Sequence, residues 1–201
     1  MTLRLVLASQ SPRRADVLRQ LGLAPVIRPA RVDEAYQPGE TPEAHVERLA
    51  REKAELVARV EPEALVVGGD TLVIDGARVL GKPRDEAEAA RMLDSLAGRA
   101  HTVLSGIALA GAPGAEGTLS TVARTEVRFR PYGRDFARAY AATGEPLDKA
   151  GAYGIQGLGA SLVRSIDGDY YSVVGFPVSA FMDLIERAGL RYDFRSLSAV
   201  R

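Results

Sequence analysis

The sequence predicts an α/β protein, and three observations carry that reading. The apolar runs at 3–8 and 65–67 are short, contain β-branched valine and hold no turn residue, as buried strands do. Between them, 41–60 repeats its apolar residues at helical spacing. Further on, 119–130 alternates Ala123, Thr125, Val127 and Phe129 with Arg124, Glu126, Arg128 and Arg130, the pattern of a half-exposed antiparallel strand.

The first strand runs into a helix start. Ser11 reads as the N-cap and Pro12 as the first helical residue, where its missing N–H costs nothing. Arg13 and Arg14 then occupy the first turn, against the helix dipole, an arrangement that an anion would relieve. Free backbone N–H groups, the Ser9 and Ser11 hydroxyls and two guanidinium forks suit a polyphosphate; two solvated arginines are the plain alternative. The helix continues to Leu21 and ends at Gly22. A strand is expected over 24–29, and Asp33-Glu34 follows in a loop, either solvated or placed to hold a divalent cation.

Thr41 caps the helix over 41–60, with Pro42 and Glu43 in its first turn. Val46, Leu49, Ala50, Val57 and Val60 form its apolar stripe, and Lys53 falls in the middle of it. Glu47, Arg48, Arg51, Glu52 and Glu55 read as the outer face. An inward lysine needs a partner or an anion, unless it snorkels to water along the apolar surface.

The strand at 65–67 meets Gly68-Gly69-Asp70-Thr71, and 72–74 is extended again. Gly-Gly-Asp reads either as a hairpin turn or as a strand end where backbone approaches a ligand beside the Asp70 carboxylate. Asp75-Gly76 is a hairpin signal leading to Val79-Leu80. Gly81-Lys82-Pro83 then precedes a helix over 85–96, without the glycine spacing or hydroxyl of a Walker loop. Strands follow over 101–110 and 119–130, then a helix over 131–142. The Gly-rich stretch 145–157 suits a loop wrapped around a ligand, with Lys149 and with Gln156, whose amide can read a base edge; a surface loop is the alternative. A hairpin of 162–166 with 170–174, a helix from Pro177 to Ala188 and a frayed tail complete the chain.

Composition sets outer limits. The 201 residues suit one domain, or one domain with two lobes. The 26 basic and 26 acidic residues balance, so no attraction to nucleic acid or membrane is implied. There is no cysteine for disulfide or thiolate chemistry, and His45 and His101 cannot make a histidine zinc site. No run is long enough to span a bilayer, and the N-terminal run lacks the marks of a signal peptide, so a soluble cytoplasmic protein is expected. Only Lys53, Lys82 and Lys149 are lysines among the 26 basic residues, which makes them candidates for sites that need lysine, with chance survival as the plain alternative. The absence of Asn and Cys is a pattern of thermophiles.

Four motifs, in order along nearly the whole chain, resemble those of the Maf family of nucleoside triphosphate pyrophosphatases. They are Leu-Ala-Ser-Gln-Ser-Pro-Arg-Arg (7–14), Gly-Asp-Thr (69–71), Gly-Lys-Pro (81–83) and Asp-Lys-Ala-Gly-Ala-Tyr-Gly-Ile-Gln-Gly (148–157). Arg13-Arg14, Thr71 and the Ala-Tyr-Gly-Ile-Gln-Gly form are similar to the subgroup acting on dTTP and UTP rather than on 7-methyl-GTP. Ala97, where the family usually has Ser, departs from the pattern outside these motifs.

The resemblance implies one domain over 1–201. Its fold would be mixed α/β, with an elongated central sheet flanked by helices and two lobes around a cleft, similar to the inosine triphosphate pyrophosphatases. The implied reaction is NTP + H2O → NMP + pyrophosphate with a divalent metal, Mg2+ or Mn2+. Asp70 matches the proton acceptor, and Arg13, Thr71 and Gln156 match the positions that set base specificity. Ser9, Arg13, Arg14, Lys53 and Lys82 are then expected to hold phosphate, and Glu34 with Asp70 the metal. The partner is a nucleotide, with no nucleic acid or membrane, and a homodimer is common in such families. The family's association with arrest of septum formation keeps a non-catalytic nucleotide-binding regulator as the competing class. A pyrophosphatase of modified or purine nucleotides is the rival among enzymes.

Overall fold

A computed structural model describes residues 2–113 and 116–200. Its elements in order are β1 (Arg4–Leu7), α1 (Pro12–Gln20), β2 (Val26–Ile27), α2 (Pro42–Ala58), β3 (Ala64–Asp75), β4 (Arg78–Leu80), α3 (Glu86–Leu96), β5 (Ala100–Ala110), β6 (Leu119–Phe129), α4 (Arg134–Ala141), β7 (Val163–Asp167), α5 (Tyr170–Val174), α6 (Val178–Arg187), β8 (Leu190–Tyr192) and β9 (Leu197–Ala199). The main sheet has seven strands in the order β2-β1-β3-β5-β6-β7, with β4 paired to β3. It is mixed: β1 is parallel to β2 and β3, while β3–β4 and β6–β7 are antiparallel. The fold is therefore the mixed α/β class with helices flanking a central sheet.

The chain divides into two compact units. The first comprises 1–70, 105–123 and 175–201, and the second 71–104 and 124–174. In the first, Val6, Ala8, Ala50, Ala54, Val57, Val66 and Ala108 form one core cluster. Small residues there bring helix and sheet backbones together. A Cβ on Gly68 would stand 2.1 Å from the Ala50 carbonyl oxygen, and one on Gly106 would stand 2.3 Å from that of Val46. Glycine at both positions thus lets α2 lie directly on β3 and β5. In the second unit, α3 and α4 pack beside a core of Leu93, Leu96, Val127, Phe129 and Leu162.

Several expectations change. Gly-Gly-Asp is not a hairpin turn: β3 runs without a break through Gly68, Gly69 and Asp70 to Asp75, and the true hairpin is at Asp75–Arg78. The backbone that Gly68 admits is that of α2, not a ligand. The expected strand at 170–174 is the helix α5. There the Asp169 carboxylate accepts from Tyr171 N at 2.8 Å, and Thr125 Oγ1 accepts from Asp169 N at 3.1 Å, so the chain turns into a helix instead of returning as a strand. The 24–29 strand shortens to Val26–Ile27, and the 131–142 helix to Arg134–Ala141. Val60 lies past the end of α2 and is exposed, so it leaves the apolar stripe. The tail is not frayed: β8 and β9 pair, and Thr2 bridges to Ser198. Among the described residues no helix is long and apolar enough to cross a membrane.

Candidate active site

The first unit gathers most of the predicted site residues. β1 delivers Ser9, buried at the strand end. Its hydroxyl accepts from Ser11 N at 3.2 Å and from Arg14 Nη1 at 3.0 Å. The expected cap by Ser11 is absent; Ser9 meets a backbone N–H of that turn instead. Arg14 also donates from Nε to the Gly175 carbonyl at 2.8 Å. A Cβ on Gly69 would come within 3.4 Å of Arg14 Nε, so that glycine makes room for the guanidinium beside β3. Burial pulls the Arg14 pKa down, opposed by the negative charge of Asp70. Arg13, its neighbour, is half-buried in the same first turn.

Lys53 confirms the inward lysine on α2. It is only 8% exposed, and its ammonium lies 2.8 Å from Asp70 Oδ1 and 2.7 Å from Glu34 Oε1. The close contact of α2 with β3 at Gly68 sets this geometry, since Asp70 follows two residues along β3. Glu34 comes from the loop 28–41, and that loop is tied to α2 by residues the sequence reading did not single out. The Glu40 carboxylate accepts from Arg48 Nε at 2.6 Å and Nη2 at 3.0 Å, and from Gln37 N at 3.0 Å, and it meets His45 Nδ1 at 2.8 Å. Arg48 Nη2 also donates to the carbonyl of Ala35, next to Glu34. Tyr36 stacks flat on the His45 ring at 3.8 Å. These bonds, led by Arg48, hold the Glu40 carboxyl far below the usual carboxylate range. Arg48 thus leaves the outer face assigned to it. The only advance signal was Glu40 one residue before the Thr41 cap.

The second unit holds the other predicted residues. Thr71 follows Asp70 in β3, and Lys82 is exposed between β4 and Pro83. Gln156 is half-buried just before a 3-10 turn at Gly157–Leu162. The stretch expected as a loop is three such turns, Glu145–Asp148, Ala150–Ala152 and Gly157–Leu162. Ala152 is buried at φ 60°, a left-handed conformation that costs a non-glycine residue and recurs at functional sites. Tyr153 reaches His101 Nε2 at 2.8 Å, and the buried His101 ring also packs edge-on against Phe129. A groove of about 710 Å³ between α3 and α4, lined by Ala87, Ala90, Arg91, Arg134 and Arg138, contains none of the predicted site residues.

The arrangement in the first unit can do specific chemistry. Two carboxylates converge on one ammonium, and a guanidinium stands one residue away along β3. Such a group can order a water and spread negative charge over cations. Among the described residues no three His, Cys, Asp or Glu cluster as a ready metal cage. Glu34 and Asp70 supply hard oxygen donors, the type a divalent cation takes, and the Lys53 ammonium stands where the two converge.

Comparison with known proteins places the chain in a family. The profile of a family described as Maf-like protein matches residues 4–188. The chain belongs to the Maf-like family. One relative, a dTTP/UTP pyrophosphatase of Moorella thermoacetica, is 54% identical over 188 residues, 93% of this chain and 96% of that one. Proteins of the same name from Anaeromyxobacter sp. and Myxococcus xanthus are each 50% identical, over 94% and 96% of this chain and 91% and 96% of theirs. A solved nucleoside-triphosphatase / dITP/XTP pyrophosphatase from Mycobacterium abscessus aligns at 19% identity and a TM-score of 0.36, covering 63% of this chain and 73% of that one. That likeness is too slight to argue from. The Maf-like motifs fall on β1–α1, on β3, after β4 and in the 3-10 turns.

Proposed function

We propose that this Maf-like chain hydrolyses dTTP and UTP to the monophosphate and pyrophosphate. The observation that carries the reading is the Lys53–Asp70–Glu34 cluster, in a chain about half identical to relatives bearing that name. Water attacks the α-phosphorus in line; a P–O bond forms, and the bridging bond to the β-phosphate breaks with its electron pair going to pyrophosphate. Asp70 takes the proton from the attacking water. Lys53 engages Asp70 through Oδ1, which leaves Oδ2 for the water. Lys53, Arg13 and Arg14, with Ser9, hold the phosphates, and Lys82 is a further phosphate-binding residue. Thr71 and Gln156 read the pyrimidine edge, Gln156 through its paired donor and acceptor. Glu34 and Asp70 would hold Mg2+ or Mn2+, which when bound lowers the pKa of its water and neutralises phosphate charge.

Pyrophosphate release from dTTP, UTP, CTP, dGTP, ATP and 7-methyl-GTP, with Mg2+ or Mn2+, tests this. Release from dTTP and UTP is expected, lowered by about 10²-fold or more in Asp70→Asn, the scale of a positioned general base. Release mainly from a purine overturns the base assignment. Binding with no release from any nucleotide replaces the enzyme by a nucleotide-binding regulator.

A further inference from the structure

The segment 154–159 closes on itself. A Cβ on Gly159 would stand 2.2 Å from the Gly154 carbonyl oxygen, so the two ends touch, and Gln156 lies between them. One pair of side chains grips both ends. The Tyr140 hydroxyl, on α4, accepts from Gly154 N at 3.3 Å and donates to Glu145 Oε1 at 2.8 Å. Glu145 then accepts from Gly159 N through Oε1 and from Leu158 N through Oε2, each at 3.0 Å. Hydrogen bonds to an ionised acceptor are the strong kind. Gly157 sits at φ +66°, and a Cβ there would stand 2.9 Å from Glu145 Oε2, so the carboxylate fills the space that this glycine leaves.

Lys149 braces the same turn. Its Nζ donates to the Glu145 carbonyl at 2.5 Å and meets Asp148 Oδ1 at 2.6 Å, while a Cβ on Gly154 would touch its stem at 2.9 Å. The third lysine is a strut in this structure. Burial works against charge on Glu145, but Tyr140, the two backbone N–H groups and Lys149 outweigh it and lower its pKa. The carboxylate is therefore ionised at neutral pH and accepts at every bond.

The geometry points to Glu145 as a positioning residue for base discrimination: with Tyr140 it locks the closed turn 154–159 and so fixes where Gln156 presents its amide. This rests on Gln156 reading the base, as proposed above. A carboxylate that merely capped a 3-10 turn would support folding and leave specificity alone, and the two roles separate in kinetics.

The experiment compares kcat and KM for dTTP and dCTP, with melting temperature, in the full chain and in Glu145→Gln, Tyr140→Phe and Gln156→Ala. Glu145→Gln keeps the shape but sets an amide N–H against a backbone N–H. The dTTP-over-dCTP ratio of kcat/KM should fall about tenfold, through a higher KM for dTTP with kcat nearly kept, on the scale of one lost charged hydrogen bond. Tyr140→Phe, which leaves the carboxylate in place, should lower the ratio less and keeps the test alive if Glu145→Gln fails to fold. A ratio that holds in both variants while Gln156→Ala abolishes it overturns the positioning role and spares Gln156. A ratio unmoved in Gln156→Ala overturns the reading of Gln156, and this inference with it.

Discussion

Lys53 Nζ lies 2.8 Å from Asp70 Oδ1, with the lysine 8% exposed. An ammonium so buried is tolerated only because carboxylates meet it. Glu34 Oε1 at 2.7 Å completes the pairing. Lys53→Met should leave the two carboxylates facing each other and remove the proposed phosphate contact. We expect kcat/KM for dTTP to fall by about 10²-fold, the scale of losing a partner in a preorganised charged site. Lys53→Arg should not restore it, because a longer, planar fork sets its charge in a different place from the compact ammonium that meets both carboxylates. Recovery in Lys53→Arg would show that charge alone suffices.

The inward lysine was legible because helical spacing is a local signal: Leu49 and Val57 flank Lys53 at four residues on either side. The path of β3 was not, because Gly-Gly-Asp carries the composition of a turn. What keeps it extended is the backbone of α2 pressed on Gly68, a contact between residues far apart in sequence. Tyr170–Val174 misled in the opposite sense. Its residues favour a strand, and Thr125 with Asp169 turn it into a helix. Arg48 and Glu145 escaped notice for a related reason: Arg48 reaches out of its helix to Glu40 and the Ala35 carbonyl, and Glu145 to Tyr140 and two backbone N–H groups, pairings that no spacing rule addresses. The motifs mark the candidate residues, while the side chains that bond the segments carrying them are visible only in three dimensions.

Gly68→Ala tests the packing that sets the site. The added Cβ would stand 2.1 Å from the Ala50 carbonyl oxygen and 2.8 Å from Ala54 N, and both are helix backbone that cannot swing aside. A cost of about 3 kcal/mol is expected, at the upper end for overpacking. In a chain of this size that lowers the melting temperature by roughly 6–12 °C. Gly81→Ala, where nothing lies within 4 Å, is the control and should melt within a degree or two of the parent, about the spread of a harmless surface change. Equal melting of both variants would show that α2 can shift away from β3 at little cost.

Arg48 tests the loop that carries Glu34. Its guanidinium spans Glu40 and the Ala35 carbonyl, so Arg48→Leu should free the backbone on both sides of Tyr36 without touching Lys53 or Asp70. We expect kcat/KM for dTTP to fall by about tenfold, the order of a misplacement in a positioned group. Limited proteolysis within 33–40 should speed up in parallel. Arg48→Lys should recover only part of the loss, since it cannot bond Glu40 with two parallel N–H groups. Wild-type kinetics with faster proteolysis would detach Glu34 from the chemistry.

His101 links stability to pH. It is 3% exposed, its Nε2 meets the Tyr153 hydroxyl, and among the described residues its Nδ1 has no hydrogen-bond partner, so a charged ring would leave that donor unbonded. Burial lowers its pKa from 6.5 to about 4, with Asp75 pulling it up and Arg99 pushing it down. The unfolded chain therefore takes up a proton near pH 6.5 that the folded chain refuses until about pH 4. The stability due to a neutral His101 is complete above the unfolded value and is lost as pH falls through that window. By pH 4 the loss reaches about 3 kcal/mol. His101→Gln keeps a polar partner for Tyr153 and cannot titrate. Denaturant unfolding of the two proteins from pH 7 to pH 4 should give curves that converge by that amount, the parent falling more steeply. Parallel curves would mean that His101 is protonated in the folded protein and that Phe129 and Tyr153 tolerate the charge beside them.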